Sequence, residues 1–418
     1  MLDLGTPLAH HTVGKLWDCP QRKRMHRSPG RQQTYGNPDN TNIAVRSAPS
    51  RQPVAPSPGL RVLTGFARAI GTGLTRPSWL SMLTCGAVVG ALGLFALSVN
   101  EQFVGRHFSP FIPLDSLDYF PAASFDAVRM ESSADPRPAL VIMGASATNE
   151  SVLETPELEE ALRAAGLDMQ VFRLTTSRQN LWESQALAAK LPRNRPAVFV
   201  LGIGPSRFTW TKRQLQRTVW FPNLGFRSEV IDDNARAAGL SPQRRTGFYV
   251  LDNRNFFLPR AVKAAGRYLT NRPVEIIRFR YDTSRVGPQE ETVWQQRGDL
   301  IMQRMNDYEQ KYAFNVEFLR GFVKDIESNP AWDFALVEHP LNPRFIDEFL
   351  GQENYDRFRQ HMESFAAGQD IPFWRPYVEA GLTPADYHDW AHVNSDAARQ
   401  KTTQRLIAHL EQGLGGAK

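Results

Sequence analysis

The chain has 418 residues, of which 42% are hydrophobic, enough for one large globular domain with its own core and for accessory segments. Its net charge of +6 is unevenly distributed, because residues 1–78 hold eleven Lys and Arg against three Asp, a net of +8, and the remainder sums to −2. A nucleic-acid-binding domain would carry a concentrated basic face, so this distribution argues against a nucleic-acid partner. Both cysteines, Cys19 and Cys85, precede residue 100, which excludes an internal disulfide and cysteine catalysis after that point.

Three segments precede the predicted domain. Residues 1–58 are rich in Pro, Arg, Gln, Ser and Asn without an apolar period, which is typical of a disordered tail. Residues 59–78 form a juxtamembrane segment, interpreted either as an amphipathic helix on the inner leaflet or as a plain linker. Residues 79–99 run for 21 positions without a charge, long enough to span a hydrocarbon core of about 30 Å. This predicts a transmembrane helix, with a buried core helix or a cleavable signal peptide as the alternatives.

Basic residues flank the apolar run unequally. Arg61, Arg68 and Arg76 precede it closely, whereas only Arg106 follows it closely. Because Lys- and Arg-rich flanks stay on the cytoplasmic side, the pattern predicts a single-pass protein of the cytoplasmic membrane with a cytoplasmic N-terminus and an exported C-terminal part. Residues 100–137 carry scattered Pro and Ser and are interpreted as a linker.

From residue 138 onward, apolar runs alternate with helical patterns. Thr155, Pro156 and Gly166 delimit one helix, and Asn180 with Glu183 resembles the capping pair of a second. Further helices are expected at about 310–327 and 395–413. The apolar runs that predict strands are 139–143, 169–174, 197–202 and 334–339, and the last two are short continuous stretches of the kind buried in a parallel sheet. The alternation predicts an α/β fold, a three-layer sandwich with a mainly parallel sheet over 138–415, with an insertion at about 207–309 that contains a helix at about 258–269.

A serine, a histidine and an aspartate lie at positions where this fold usually has its catalytic residues. Ser146 lies in a loop of small residues directly after the first strand, and ligands of parallel sheets bind where the strands end. A serine hydroxyl becomes an effective nucleophile when a base takes its proton and a carboxylate orients that base. Asp389 and His392 stand three residues apart just before the last helix. We therefore expect these three side chains to meet.

The order of these motifs resembles a known superfamily. A strand followed by G-x-S around Ser146, and a D-x-x-H at Asp389 and His392, are similar to blocks I and V of the SGNH/GDSL hydrolases, whose fold is flavodoxin-like. In particular, the chain is similar to their single-span, exported type, which is linked with adding or removing acyl groups on envelope polysaccharides. The resemblance covers residues 138–415. It implies that Ser146 is the nucleophile, His392 the general base and later acid, Asp389 its orienting partner, and the Ser146 backbone N–H one oxyanion donor.

Two positions depart from the family pattern. The second block, which normally offers a Gly, reads Thr-Ser-Arg-Gln-Asn over residues 176–180, and the third, normally G-x-N-D, reads Gly-Ile-Gly-Pro over 202–205. The Asn side chain of the third block is therefore missing, and losing one oxyanion donor costs about 10² to 10³ in rate. The candidates to replace it are Arg178 through its backbone N–H, Asn180 and Gly204.

The resemblance implies a serine-dependent esterase or O-acyltransferase that acts on acyl esters of cell-envelope carbohydrate through an acyl-serine intermediate. This chemistry requires no metal and no cofactor. The implied partners are an acylated envelope polysaccharide or similar ester, the membrane through one helix, and a membrane-bound acyl-transfer partner. Hydrolase and transferase share the acyl-enzyme, so the sequence leaves that choice open.

Other interpretations remain beside this one. The departures in the second and third blocks favour, as an alternative, a non-catalytic envelope assembly or binding protein that keeps the SGNH fold. His388 and His392 are spaced like the histidines of a helical zinc motif, a further alternative. His339 is interpreted as a structural loop residue. Aromatic residues of the insertion either stack on sugar rings or pack in the core, namely Trp210, Trp220 and Phe221.

Overall fold

The computed structural model describes residues 78–109, 112, 119–220, 228–242, 244–270 and 288–415. The predicted tail, 1–58, and all but the last residue of the predicted juxtamembrane segment, 59–78, lie outside these residues, as does Phe221.

The first described helix, α1, spans Trp79–Ser98. Ser78 caps it, because the Ser78 Oγ accepts a hydrogen bond of 3.1 Å from the Ser81 N–H. The helix is long and apolar enough to cross a membrane, and none of its side chains is buried. A core helix of the same composition would be covered by protein.

Residues 100–137 are not the linker that we expected. They contain helix α2 at Glu101–His107 and helix α3 at Tyr119–Ser132. Phe120, Ala123, Ala127 and Met130 of α3 are buried in the main core. The 3–4 spacing of these apolar residues is a helical signal, so the folded part begins well before residue 138.

A five-stranded sheet with helices between its strands follows α3, and it confirms the predicted α/β class. The elements up to the third strand are β1 Ala139–Gly144, α4 Ser146–Glu150, α5 Thr155–Ala164, β2 Gln170–Thr175, α6 Leu181–Ala188 and β3 Ala197–Ile203. The predicted capping pair is present, since Asn180 and Glu183 each bond to the other's backbone at the start of α6.

The predicted insertion consists, in its described part, of a 3₁₀ turn and helices. These are the 3₁₀ turn Pro205–Phe208, α7 Lys212–Trp220, α8 Glu229–Ala237, α9 Tyr249–Asp252, α10 Arg254–Leu269 and α11 Glu291–Met305. The helix expected at about 258–269 is confirmed as the C-terminal part of α10.

The remaining elements complete the sheet and its cover. They are α12 Tyr308–Glu327, β4 Trp332–Glu338, α13 Pro343–Phe345, a π-turn Ile346–Leu350, α14 Gln352–Gly368, β5 Phe373–Trp374, α15 Pro376–Glu379, a 3₁₀ turn Pro384–Asp386 and α16 Asp396–Gly415. Helix α14 and strand β5 were not predicted from the sequence. β5 pairs with β4 through only two residues, which is too short for a periodic signal.

All strands of the sheet are parallel, in the order β2-β1-β3-β4-β5. The chain moves from β1 to β2 on one side and then returns to β3 on the other. The ends of β1 and β3 therefore flank the point where the strand order reverses, which is where open α/β sheets bind ligands.

Each face of the sheet carries an apolar cluster. Ala139, Val141 and Met143 of β1 point into the cluster formed with α3, α6 and α12. Leu140 and Ile142 point into the other, formed with α5 and α16. Because β1 is buried on both faces, its residues are continuously apolar rather than alternating.

Replacing Gly202 of β3 by Ala should destabilise the domain. A Cβ at this position would lie 1.9 Å from Thr148 Oγ1 and within 2.7 Å of the other Thr148 side-chain carbons, so the buried Thr148 would have to move. Overpacking of this kind costs about 1–3 kcal/mol. Gly321→Ala in α12, where a Cβ meets nothing within 4 Å, is the matched control and should raise stability by about 0.5–1 kcal/mol. Thermal melting of the purified chain measures the stability of both variants. Equal melting temperatures for the two variants would contradict the close contact between Gly202 and Thr148.

Candidate active site

The loop after β1 presents Ser146 at the edge of the sheet. Gly144 has φ +147°, and a Cβ there would lie 2.6 Å from Thr148 Oγ1, so only glycine lets the chain turn so closely over Thr148. Ser146 is the first residue of the short helix α4, where a backbone N–H has no intrahelical acceptor. Its side chain is partly exposed.

The turn before α16 is held together by its own backbone. Tyr387 pairs with Val393 in an antiparallel bridge, and the His388 N–H donates to the His392 carbonyl at 2.8 Å. From outside the turn, Asn342 Nδ2 donates to the Asp389 carbonyl at 3.0 Å. The turn thus brings the side chains of Asp389 and His392, which are three residues apart in the sequence, next to each other.

The structure brings the three predicted residues together. Ser146 Oγ lies 2.9 Å from His392 Nε2. His392 Nδ1 lies 2.8 Å from each carboxylate oxygen of Asp389. Asp389 is fully buried and His392 nearly so. The hydroxyl, imidazole and carboxylate form a continuous hydrogen-bonded chain that leads from the sheet edge into the protein.

The Asp389 carboxylate is held as an anion despite its burial. Burial by itself raises the pKa of a carboxyl group. Here three interactions outweigh the effect of burial: the hydrogen bond from His392, the charge of His392, and the backbone N–H bonds from Ala391 at 3.0 Å and His392 at 2.9 Å. The pKa of Asp389 therefore falls below its ordinary value. An ionised Asp389 holds His392 with a proton on Nδ1, which leaves Nε2 free to accept the Ser146 proton.

Arg297 is a residue of this site that the sequence did not predict. Its Nη1 lies 3.5 Å from Asp389 Oδ2, although the rest of its side chain is half exposed. Arg297 belongs to α11, in the segment interpreted as an insertion. No local motif marks it, because the contact depends on how α11 packs against the turn.

The oxyanion candidates have different surroundings. The loop after β2 is tied to the end of β1, just before Ser146, by the Thr176 N–H, which donates to the Gly144 carbonyl at 3.1 Å. Two residues later, Arg178 is exposed and adopts φ 55°, a left-handed conformation that costs a non-glycine residue about 1–2 kcal/mol. Asn180 caps α6 through its Oδ1, and its buried Nδ2 has no hydrogen-bond partner among the described residues.

Gly204 leaves room for His339. A Cβ at position 204 would lie 2.4 Å from His339 Cε1 and 2.5 Å from its Nε2, so the imidazole fills the space that a side chain at residue 204 would enter. His339 directly follows β4, is buried, and neither ring nitrogen has a hydrogen-bond partner within the part of the chain that the structure describes. Burial, with the charges of Arg207 and His392, lowers the pKa of His339 to about 3. His339, which we interpreted as a structural loop residue, is therefore a buried and neutral group beside Gly204.

The histidine pair does not form the helical zinc motif. Residues 388–392 lie in the turn rather than in a helix. Both ring nitrogens of His392 are engaged, one with Ser146 and one with Asp389. A helical zinc motif requires its two histidines on one helical face, so this arrangement does not fit that interpretation.

Trp210 packs against the main apolar cluster, which favours the core interpretation of this aromatic residue. The Trp220 side chain lies outside the described residues.

Compared with known proteins, the chain matches no family model and no curated protein. The assignment of this site therefore rests on the geometry of its residues.

His339 should make the stability of the protein depend on pH. In the unfolded chain a histidine binds a proton below its ordinary pKa of 6.5, whereas the folded protein resists that proton until about pH 3. Stability should therefore be fully present above pH 6.5 and fall as the pH is lowered, by at most about 1.4 kcal/mol per pH unit from this group.

His339→Gln removes this titration. The difference in free energy of unfolding between parent and variant, followed by denaturant titration at several pH values, should change steadily below pH 6.5 and stay constant above it. A difference that is independent of pH across this range would contradict the burial of a neutral His339.

Proposed function

We propose that the chain is a membrane-anchored serine esterase or O-acyltransferase of the SGNH/GDSL type, acting on acyl esters of cell-envelope carbohydrate. The hydrogen-bonded chain Ser146–His392–Asp389, at the edge where parallel strands end, carries this proposal. The apolar cluster on each face of the sheet and the 2-1-3-4-5 strand order support the finer assignment to a flavodoxin-like three-layer sandwich.

The reaction proceeds through an acyl-serine. His392 Nε2 removes the Ser146 hydroxyl proton while Oγ attacks the ester carbonyl carbon, which forms a tetrahedral oxyanion. The oxyanion collapses, the ester C–O bond breaks, and His392 returns the proton to the departing alcohol oxygen. Water or a sugar hydroxyl then attacks the acyl-serine, again losing its proton to His392, and Ser146 is released with its proton restored. Asp389 keeps its negative charge throughout and stabilises the imidazolium.

Backbone groups are the best candidates for the oxyanion hole. The Ser146 N–H at the start of α4 is one, and the Arg178 N–H in the neighbouring loop is another. The left-handed backbone at Arg178 supports its comparison with the glycine of the family's second block, because glycine adopts that conformation without strain. Gly204 has no side chain to supply the missing Asn, and the buried Nδ2 of Asn180 has no access in this conformation.

The proposed location follows from α1 and its flanks. A span at Trp79–Ser98, with Arg61, Arg68 and Arg76 before it, keeps the N-terminus in the cytoplasm and exports the α/β domain. The substrate is then an acylated envelope polysaccharide or similar ester, and an acyl group for transfer comes from a membrane-bound partner. An acyl donor inside the cell cannot otherwise reach an exported serine.

Ser146→Ala should abolish turnover of p-nitrophenyl acetate and labelling by a fluorophosphonate probe, because the variant has no nucleophile. Ser328→Ala is the matched control, since Ser328 follows α12 and precedes β4, at the opposite edge of the sheet, and should leave both readouts unchanged. Release of p-nitrophenol and probe fluorescence in gels measure the two effects. Parental turnover by Ser146→Ala excludes the serine mechanism, and a parent chain that neither reacts nor labels favours the non-catalytic envelope-binding alternative.

Arg178→Gly should keep turnover and raise stability by up to about 1 kcal/mol, because glycine enters the left-handed region without steric cost. Arg178→Val should lower both, since a β-branched residue is a rare outlier at positive φ. Ester turnover and thermal melting distinguish the two variants. If glycine reduces turnover as severely as valine does, the Arg178 side chain rather than its backbone acts at the site.

A further inference from the structure

The domain end of α1 packs against α9 and α10. Val99, directly after α1, is buried in an apolar cluster with Phe125 of α3 and Phe256 of α10, and Tyr249 of α9 packs at its edge. α9 also contacts α1 directly. These two helices therefore lie at the end of the segment that is long and apolar enough to cross a membrane.

A stripe of exposed apolar side chains follows the other side of these helices. Leu258, Val262 and Leu269 are spaced by four and seven residues, which places them on one face of α10, and Leu251 of α9 extends this stripe. Their exposed fractions rise from 51% at Leu251 to 81% at Leu269. Phe256, which is buried in the cluster at α1, lies roughly opposite the stripe on the helix. Single exposed apolar residues are ordinary, but a continuous stripe marks an interaction surface.

The charges of the same segment are predominantly positive. Between residues 249 and 270 there are four basic residues and one acidic residue, Asp252, and the basic ones are Arg254, Arg260, Lys263 and Arg267. A helix with an apolar face and several Lys and Arg is typical of segments that lie in the interface of an anionic bilayer.

We propose that α9 and α10 lie in the interface of the bilayer that α1 crosses, on the side of the α/β domain. The stripe Leu251, Leu258, Val262 and Leu269 contacts acyl chains, and the exposed Arg254 lies at the level of anionic headgroups, whereas Arg260 stacks on the buried Phe256 ring at 3.9 Å. This inference rests on the proposed membrane span and is independent of the esterase chemistry. The 16 residues of α10 cover about 24 Å of the surface, so the domain has a second membrane contact that restricts its rotation about α1.

The test uses the full chain in vesicles. Cys19 and Cys85 are replaced by Ser, and Val262→Cys is labelled with the environment-sensitive fluorophore NBD. Lys401→Cys, at an exposed position of α16, carries the same label as the matched control. The proteins are reconstituted into vesicles of phosphatidylcholine, with or without phosphatidylglycerol, that contain lipids with a quenching nitroxide on the acyl chain.

We expect the label at residue 262 to shift to the blue and to be quenched several-fold more than the label at residue 401. Phosphatidylglycerol should increase this quenching, and Arg254→Gln should reduce the increase. Equal quenching at residues 262 and 401 overturns the proposal. A label at residue 262 that is shielded from water but not quenched by lipid also overturns it, and shows instead that protein covers the stripe.

The outcome is separable from the proposed function. Leu258→Ser with Val262→Ser should retain ester turnover in detergent, because neither residue belongs to the catalytic site. Retained turnover also shows that this variant folds. Loss of lipid contact in a chain that still turns over ester then assigns the effect to the stripe.

Discussion

The hydrogen bond between Ser146 and His392 joins two parts of the chain that are 246 positions apart. It forms because α16 packs on the face of the sheet toward which Leu140 and Ile142 of β1 point. Leu140 and Ile142 of β1 share a buried cluster with Leu406 and Leu410 of α16, and this cluster holds the turn before α16 above the end of β1. The geometry of the site is therefore a consequence of packing.

The same site contains a buried carboxylate, which is costly unless other groups compensate its charge. An uncompensated buried charge destabilises a protein by several kcal/mol, on the order of the whole stability of a domain. Asp389 is compensated by four groups, namely the His392 imidazole, two backbone N–H groups and the Arg297 guanidinium. Each comes from the turn itself or from α11, so the segment predicted as an insertion also helps to hold Asp389 in place. His339, buried and neutral beneath Gly204, adds a second polar group whose cost grows on acidification.

The strands and most flanking helices were predictable because their signals are local. A run such as 197–202 is apolar throughout because β3 is buried on both faces. The capping pair Asn180 and Glu183 indicates the start of α6 from only four consecutive residues. Residues 119–132 were interpreted as a linker because Pro and Ser obscure their apolar period, yet Phe120 and Met130 place α3 in the core. The two-residue strand β5 has no period of its own, and only its pairing with β4 defines it.

The sequence by itself determined the residue types and their order: a serine after the first strand, an Asp and a His three apart before the last helix, and an uncharged run of 21 residues. These signals depend on neighbours in the chain, which is why they can be recognised without a structure. Only the tertiary structure decided that Arg297 reaches Asp389, that His339 fills the space beside Gly204, and that Arg178 adopts a left-handed backbone. Those features depend on distances between segments far apart in sequence, and such distances are set by the packing of the whole domain.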